Sequence, residues 1–72
     1  MQRFGEKLRA LRTARELTLQ QLARELGYAT HAYISELESG KKVPTAALVL
    51  KVARKFGVTT DVLMKDEVEL HG

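Results

Sequence analysis

Residues 17–40 read LTLQQLARELGYATHAYISELESG, and two short helices joined by a tight turn can be read from them residue by residue. Thr18 is placed to cap a helix, and Gln21, three positions on, can reach back to the Thr18 backbone N–H, which together make a capping box. Leu17 before the cap and Leu22 at the fourth helical position add a hydrophobic staple, so two independent signals place this start. Gly27 supplies the left-handed residue that closes such a helix. A second start follows at once, with Thr30 as cap, Ile34 and Leu37 facing inward and Gly40 as the stop. Only Tyr28 and Ala29 stand between Gly27 and Thr30.

Working outward, Phe4, Leu8 and Leu11 fall at i, i+4 and i+7, the stripe of an amphipathic helix. Its other face is expected to carry Glu6, Lys7, Arg9 and Thr13, and it is expected to end near Arg15. Downstream, a basic loop of Lys41, Lys42, Val43 and Pro44 leads to Thr45, which caps a fourth helix ending at Gly57. Thr59 caps a short fifth helix running to about Lys65, with Val58 and Leu63 as a second staple. No alternating strand run appears, so the expected fold class is all-α: a compact five-helix domain over residues 1–65. Residues 66–72 form an acidic C-terminal tail with no cap or period to fix its conformation.

A chain of 72 residues supports one small core. Such a domain buries only about 60% of its unfolded surface and tends to need a partner or a staple. Cysteine is absent, which removes disulfides and most structural zinc sites and suits a reducing cytosol, so the expected location is cytoplasmic. The start has no run resembling a signal peptide, and the longest apolar stretch, Ala46 to Leu50, is far short of the ~20 residues of a membrane span. A soluble protein with no membrane association is expected. Residues 1–60 hold 11 basic and 5 acidic side chains, a net +6, whereas residues 61–72 hold 1 basic and 4 acidic. That polarity favours a polyanionic partner.

Catalysis needs convergent polar groups, and these are scarce: no cysteine, two histidines 40 positions apart, and carboxylates set mostly beside basic residues. His71 in the tail reads as a solvated side chain. Without a glycine-rich phosphate loop or a ligand cluster, no enzyme, no metal and no cofactor is expected. The constellation that stands out is the helix after the turn. At about 100° per residue, Thr30, Ile34, Leu37 and Glu38 share one face, and Ala32, Ser35, Glu36 and Ser39 the other. His31 and Tyr33 flank its N-terminus, and Lys41 and Lys42 follow its end. A major groove admits one such helix, although the same pattern also suits the solvated face of an ordinary helical hairpin.

Residues 4–64 resemble the Cro and phage-repressor (XRE-like) helix-turn-helix family almost end to end. The resemblance runs through Leu8, Leu11-Arg12, Leu17-Thr18, Leu22-Ala23, Leu26-Gly27, Tyr33-Ile34-Ser35, Leu37-Glu38, Gly40-Lys41, Pro44-Thr45, Ala53, Gly57-Val58 and Asp61-Val62-Leu63. It implies a DNA-binding transcription regulator whose recognition helix is about Thr30–Ser39, and an ion pair between Arg12 and Glu38. On that footing Lys41, Lys42, Arg9, Arg24, Thr18 and Tyr28 are expected to bind phosphates, and His31, Ala32, Tyr33, Ser35 and Glu36 to read bases.

Three positions depart from the family pattern. Leu19 stands where a glutamine is usual, Glu16 where a glycine commonly closes the first helix, and the turn between the two central helices is one residue longer. In the fourth helix Leu48, Val49, Leu50, Val52, Ala53 and Phe56 cover about 200° of the wheel, wider than one core-facing stripe. Leu48, Leu50, Val62, Val68 and Leu70 are therefore expected to supply a patch for a homodimer on a near-palindromic operator, the competing reading being that they fill the core. The main rival function is an antitoxin or anti-repressor module of the same fold that chiefly binds a protein partner. A binder of single strands or RNA fits less well, with only Tyr28 and Tyr33 near the face.

Overall fold

Four threonines start four of the five helices of the computed structural model, which describes residues 2–70; His71 lies outside them. The helices are α1 (Phe4–Ala14), α2 (Leu19–Leu26), α3 (His31–Ser39), α4 (Ala46–Phe56) and α5 (Thr60–Met64). The hydroxyl oxygens of Thr18, Thr30, Thr45 and Thr59 accept from the N–H groups of Gln21, Ala32, Leu48 and Val62. Each such cap is worth about 1 kcal/mol against alanine. At Thr18 the box is complete, because the Gln21 side-chain oxygen accepts from the Thr18 N–H at 2.8 Å.

Three helices stop at left-handed Gly27, Gly40 and Gly57, but α1 stops at Glu16, whose φ is 57°. The Leu17 N–H donates to Arg12 O at 3.1 Å and the Glu16 N–H to Thr13 O at 3.0 Å, the double bond of a Schellman ending. A side chain in this region costs on the order of 1 kcal/mol, so the surroundings must hold it there.

The core takes Phe4 and Leu8 from α1, Leu22, Ala23 and Leu26 from α2, and Ile34 and Leu37 from α3. Leu48, Val49, Val52, Ala53 and Phe56 of α4 and Leu63 of α5 complete it. All of the apolar arc of α4 but Leu50 is thus absorbed inside the chain, which corrects one expectation: Leu48 is fully buried and offers nothing to a surface patch. Leu50, on the outer side of α4, stays exposed. Gly5 lets α1 approach the end of α3, since a Cβ there would lie against Leu37 O and 2.6 Å from Glu38 O. Among the described residues no helix is long and apolar enough to cross a membrane, and no acid, histidine or cysteine cluster could hold a metal.

A second correction concerns Lys7, expected on the outer face of α1 but 1% exposed. Its ammonium donates to the carbonyls of Val62 (2.6 Å), Lys65 (2.9 Å) and Val68 (2.6 Å). Three donors meet three acceptors, which is what makes a buried ammonium tolerable. The tail answers in kind. The Asp66 carboxylate accepts from the N–H groups of Gln2 (3.0 Å) and Arg3 (2.9 Å), capping α1, whose own N-cap residue Arg3 provides no side-chain cap. Arg3 in turn donates to Asp66 O (2.8 Å) and, with two N–H groups, to the Glu69 carboxylate at 2.7 and 3.0 Å.

Replacing Lys7 by Met keeps the stem and strands three carbonyls, and is expected to cost roughly 3 kcal/mol. For a domain of this size that lowers Tm by more than about 10 °C, and a melt within two degrees or so of wild type would refute a structural role for the three Lys7 bonds. The Asp66 carboxyl is held below its ordinary pKa by the Arg3 and Gln2 N–H groups. A folded pKa below the unfolded one gives stability that is complete above the usual aspartate range and is lost as pH falls through the folded value. Thermal melts taken from pH 7 downwards should therefore fall more steeply for wild type than for Asp66→Asn and converge in strong acid; parallel curves would count against the cap.

Candidate nucleic-acid interface

Helix α3 divides its residues by face. Ile34 and Leu37 are buried, while His31, Ala32 and Ser35 are exposed and Tyr33 and Glu36 half-buried. Its orientation is fixed from α1. Arg12 Nε and Nη2 donate to the Glu38 carboxylate at 2.7 and 3.2 Å, and Arg12 Nη1 donates to Leu17 O at 2.8 Å. With side chains only 13% and 8% exposed, the pair is screened little by solvent, and each charge depends on the other.

The basic residues after α3 are placed by its last turn. The N–H groups of Lys41 and Lys42 both donate to Glu36 O, at 2.9 and 3.3 Å, so the loop begins fixed and both side chains are exposed. Thr18 is exposed at the start of α2, where its oxygen serves the cap and its hydroxyl proton remains available to a ligand. Arg9 borders a groove with Arg12, Leu19, Ser35, Glu38 and Ser39, so it joins the outer face of α3. Arg24 does not. It borders a different depression between α2 and α4, with Glu25, Lys51, Arg54 and Lys55. There Lys55 is paired with Glu25.

Tyr28, half-buried in the turn, meets Tyr33 with ring centroids 4.9 Å apart at 56°, an aromatic pair in a tilted arrangement. Lys51 lies over the Tyr28 ring at 5.0 Å and Lys42 over the Tyr33 ring at 5.9 Å. Neither lysine contact has a local signal in the sequence, because the partners lie 9 and 23 positions apart, beyond the reach of one helical turn. The same holds for Arg15, which donates to the carbonyls of Lys55 and Phe56 at the end of α4 and covers the Phe56 ring at 4.8 Å. Of the residues expected in an apolar patch, Leu50 is exposed and Val62, Val68 and Leu70 are half-buried; Met64, 45% exposed, was not expected there.

A sequence profile described as a helix-turn-helix domain matches residues 3–65. Among curated proteins, the HTH-type transcriptional activator BcrR of Enterococcus faecalis is 42% identical over 64 residues, covering 89% of this chain and 31% of the relative. The HTH-type transcriptional repressor RghR of Bacillus subtilis is 45% identical over 65 residues, covering 89% of this chain and 47% of the relative. The chain therefore spans less than half the length of either relative. In fold it is similar to the N-terminal DNA binding domain of SinR from Bacillus subtilis, with a TM-score of 0.81, 21% identity, and coverage of 96% of this chain and 100% of that one.

Arg12→Ala is expected to cost ~3 kcal/mol, because Glu38 would keep its charge without its partner. The double variant Arg12→Met with Glu38→Leu should recover much of that loss. Equal melting of Arg12→Ala and wild type would mean that the pair contributes nothing.

Proposed function

This chain belongs to the helix-turn-helix domain family, and from that premise we propose that it binds double-stranded DNA sequence-specifically as a transcription regulator in the cytoplasm. The observation that carries this reading is α3 itself: its inner face is locked by Ile34, Leu37 and Glu38, its outer face is small and polar, and Lys41 and Lys42 flank its end. A rigid helix of that kind suits base reading, because binding then orders few further groups. His31, Ala32, Tyr33, Ser35 and Glu36 read base edges. Ala32 suits a thymine methyl, and Glu36 accepts from a cytosine amino group. Lys41, Lys42, Arg9, Thr18 and Tyr28 hold phosphates that fix orientation, and Arg24 does so from the α2–α4 side. The names of the relatives, an activator and a repressor of transcription, support the same reading.

The protein acts as a homodimer on a near-palindrome. Leu50 with Val62, Val68 and Leu70 forms the self-complementary patch, Leu48 having been taken into the core. Two recognition helices related by a two-fold axis then enter successive major grooves, with half-sites about 10 bp apart or a multiple of it. An antitoxin or anti-repressor role, in which a protein partner is the main ligand, is favoured by one observation: Leu19, half-buried, leaves no polar side chain just inside the cap of α2.

Selection from random duplexes, run with sedimentation, tests this. A symmetric motif and a dimer at tens of micromolar are expected. Lys41→Ala and Lys42→Ala should weaken all sequences alike and flatten the slope of log K against log salt by roughly one each. His31→Ala and Glu36→Ala should instead change preference at one or two base positions, by about 1–3 kcal/mol per lost contact. Selection of no motif by the wild type would favour the protein-partner role, and a strictly monomeric protein with an asymmetric site would remove the dimer.

A further inference from the structure

The link from α2 to α3 is the least braced part of the helix-turn-helix pair. Of residues 27–30 only Tyr28 is not exposed. The backbone of this segment is tied by the Gly27 N–H to Arg24 O at 3.1 Å, by the Tyr28 N–H to Ala23 O at 2.8 Å and by the Thr30 cap on Ala32, which leaves Ala29 with none of these bonds. What fixes the turn is therefore the Tyr28 ring, and that ring is held on two sides. Tyr33, on the first turn of α3, meets one side. Lys51 of α4 lies over the ring at 5.0 Å, and its ammonium also donates to Leu26 O at 3.3 Å. Leu26 is the last residue of α2, so its carbonyl is one of those that a helix leaves without an internal partner, and a cation is favoured there.

We infer that Lys51 is a positioning residue for the recognition helix, tying the end of α2 to the Tyr28 ring and, through Tyr33, setting where His31 and Ala32 stand. The inference rests on the DNA-reading function proposed above and deepens it. Ile34 and Leu37 anchor the middle of α3 in the core, but its first turn has no buried residue of its own, since His31 and Ala32 are exposed and Tyr33 is half-buried. The first turn is held from the preceding link and, at Tyr33, by Lys42. The link is one residue longer than the family pattern, and Lys51 reaches both the Tyr28 ring and the end of α2 from a helix outside the motif. The second lysine of the series, Lys42 over the Tyr33 ring, closes the far side.

The test compares Lys51→Met, which keeps the stem but loses the charge and the donor, with Lys51→Arg, which can still stack on Tyr28 and donate to Leu26 O. Two measurements on the full chain are needed. In the free protein, amide exchange at residues 28–32 should speed up in Lys51→Met and not in Lys51→Arg, with the core of α4 unchanged. Exchange that rises equally in every helix, or not at all at the turn, overturns the inference. Against a random-duplex pool, Lys51→Met should lose roughly 3- to 30-fold of discrimination at the positions read by His31 and Ala32, with its salt slope unchanged. Lys51→Arg should return toward wild type. A slope lower by about one with base preference intact would make Lys51 a phosphate contact and not a positioning residue. Should the wild type select no motif, the DNA reading itself fails, and the exchange measurement still decides whether Lys51 holds the turn.

Discussion

The Arg12 residue grips three elements at one point. Its guanidinium spends two N–H groups on Glu38 of α3 and a third on Leu17 O, while its own carbonyl accepts the Leu17 N–H. Leu17 is thus held at both its backbone groups by one residue. Between them sits Glu16 with a φ of 57°, a conformation a side chain adopts only when its neighbours enforce it. Glu16 thus holds the left-handed backbone where the family pattern has glycine, and Arg12 ties the link from α1 to α2 just beyond it. The same side chain sets the angle of α3. With Gly5 admitting the first turn of α1 against Leu37 O and Glu38 O, α1 touches the end of α3 through backbone and through charge.

Local chemistry made most of this fold legible in advance. Thr18, Thr30, Thr45 and Thr59 each announce a helix by the reach of a short hydroxyl side chain to an N–H two or three residues on, an interaction contained within one turn. The stops at Gly27, Gly40 and Gly57 are equally local. The burial of Lys7 is not legible for the opposite reason. Its partners lie 55 to 61 residues away, and nothing near it in sequence shows three carbonyls waiting. One signal was present: with Phe4, Leu8 and Leu11, position 7 completes an i, i+3, i+4, i+7 stripe, so a helical wheel puts that lysine beside the apolar face. In the same way the width of the α4 arc is legible in the sequence, but whether the other four helices suffice to cover Leu48 depends on tertiary packing alone.

The candidate site was legible to the same degree. Which residues of α3 face outward follows from the helical period, and the structure leaves His31, Ala32 and Ser35 exposed. How the face is held does not follow from any period, since Arg12 to Glu38 and Lys51 to Leu26 O bridge 26 and 25 positions. The acidic tail belongs to this second class. Its sequence suggested only a negative charge, whereas Asp66 and Glu69 are engaged at the start of α1 with Arg3 and the adjoining N–H groups. The excess of positive charge in residues 1–60 is thereby partly matched at one end of α1, and the cations beside α3 keep theirs.

A last asymmetry concerns the helix starts. An acid in the first turn favours a helix by answering the positive end of its dipole, and α1 and α5 have one each in Glu6 and Asp61. The other three helices have none. Their threonine caps satisfy one N–H apiece, and no acid of their own first turns opposes the positive ends. An anion at such an end meets unsatisfied N–H groups and a favourable field together. Under the proposed function this bears on Leu19. The glutamine of the family pattern would bring a side chain to a phosphate, but here position 19 packs on the core beside Arg9 and Arg12. The start of α2 then has the Thr18 hydroxyl, its own backbone N–H groups and the nearby Arg9 with which to hold a phosphate, and all three act without a polar residue at position 19.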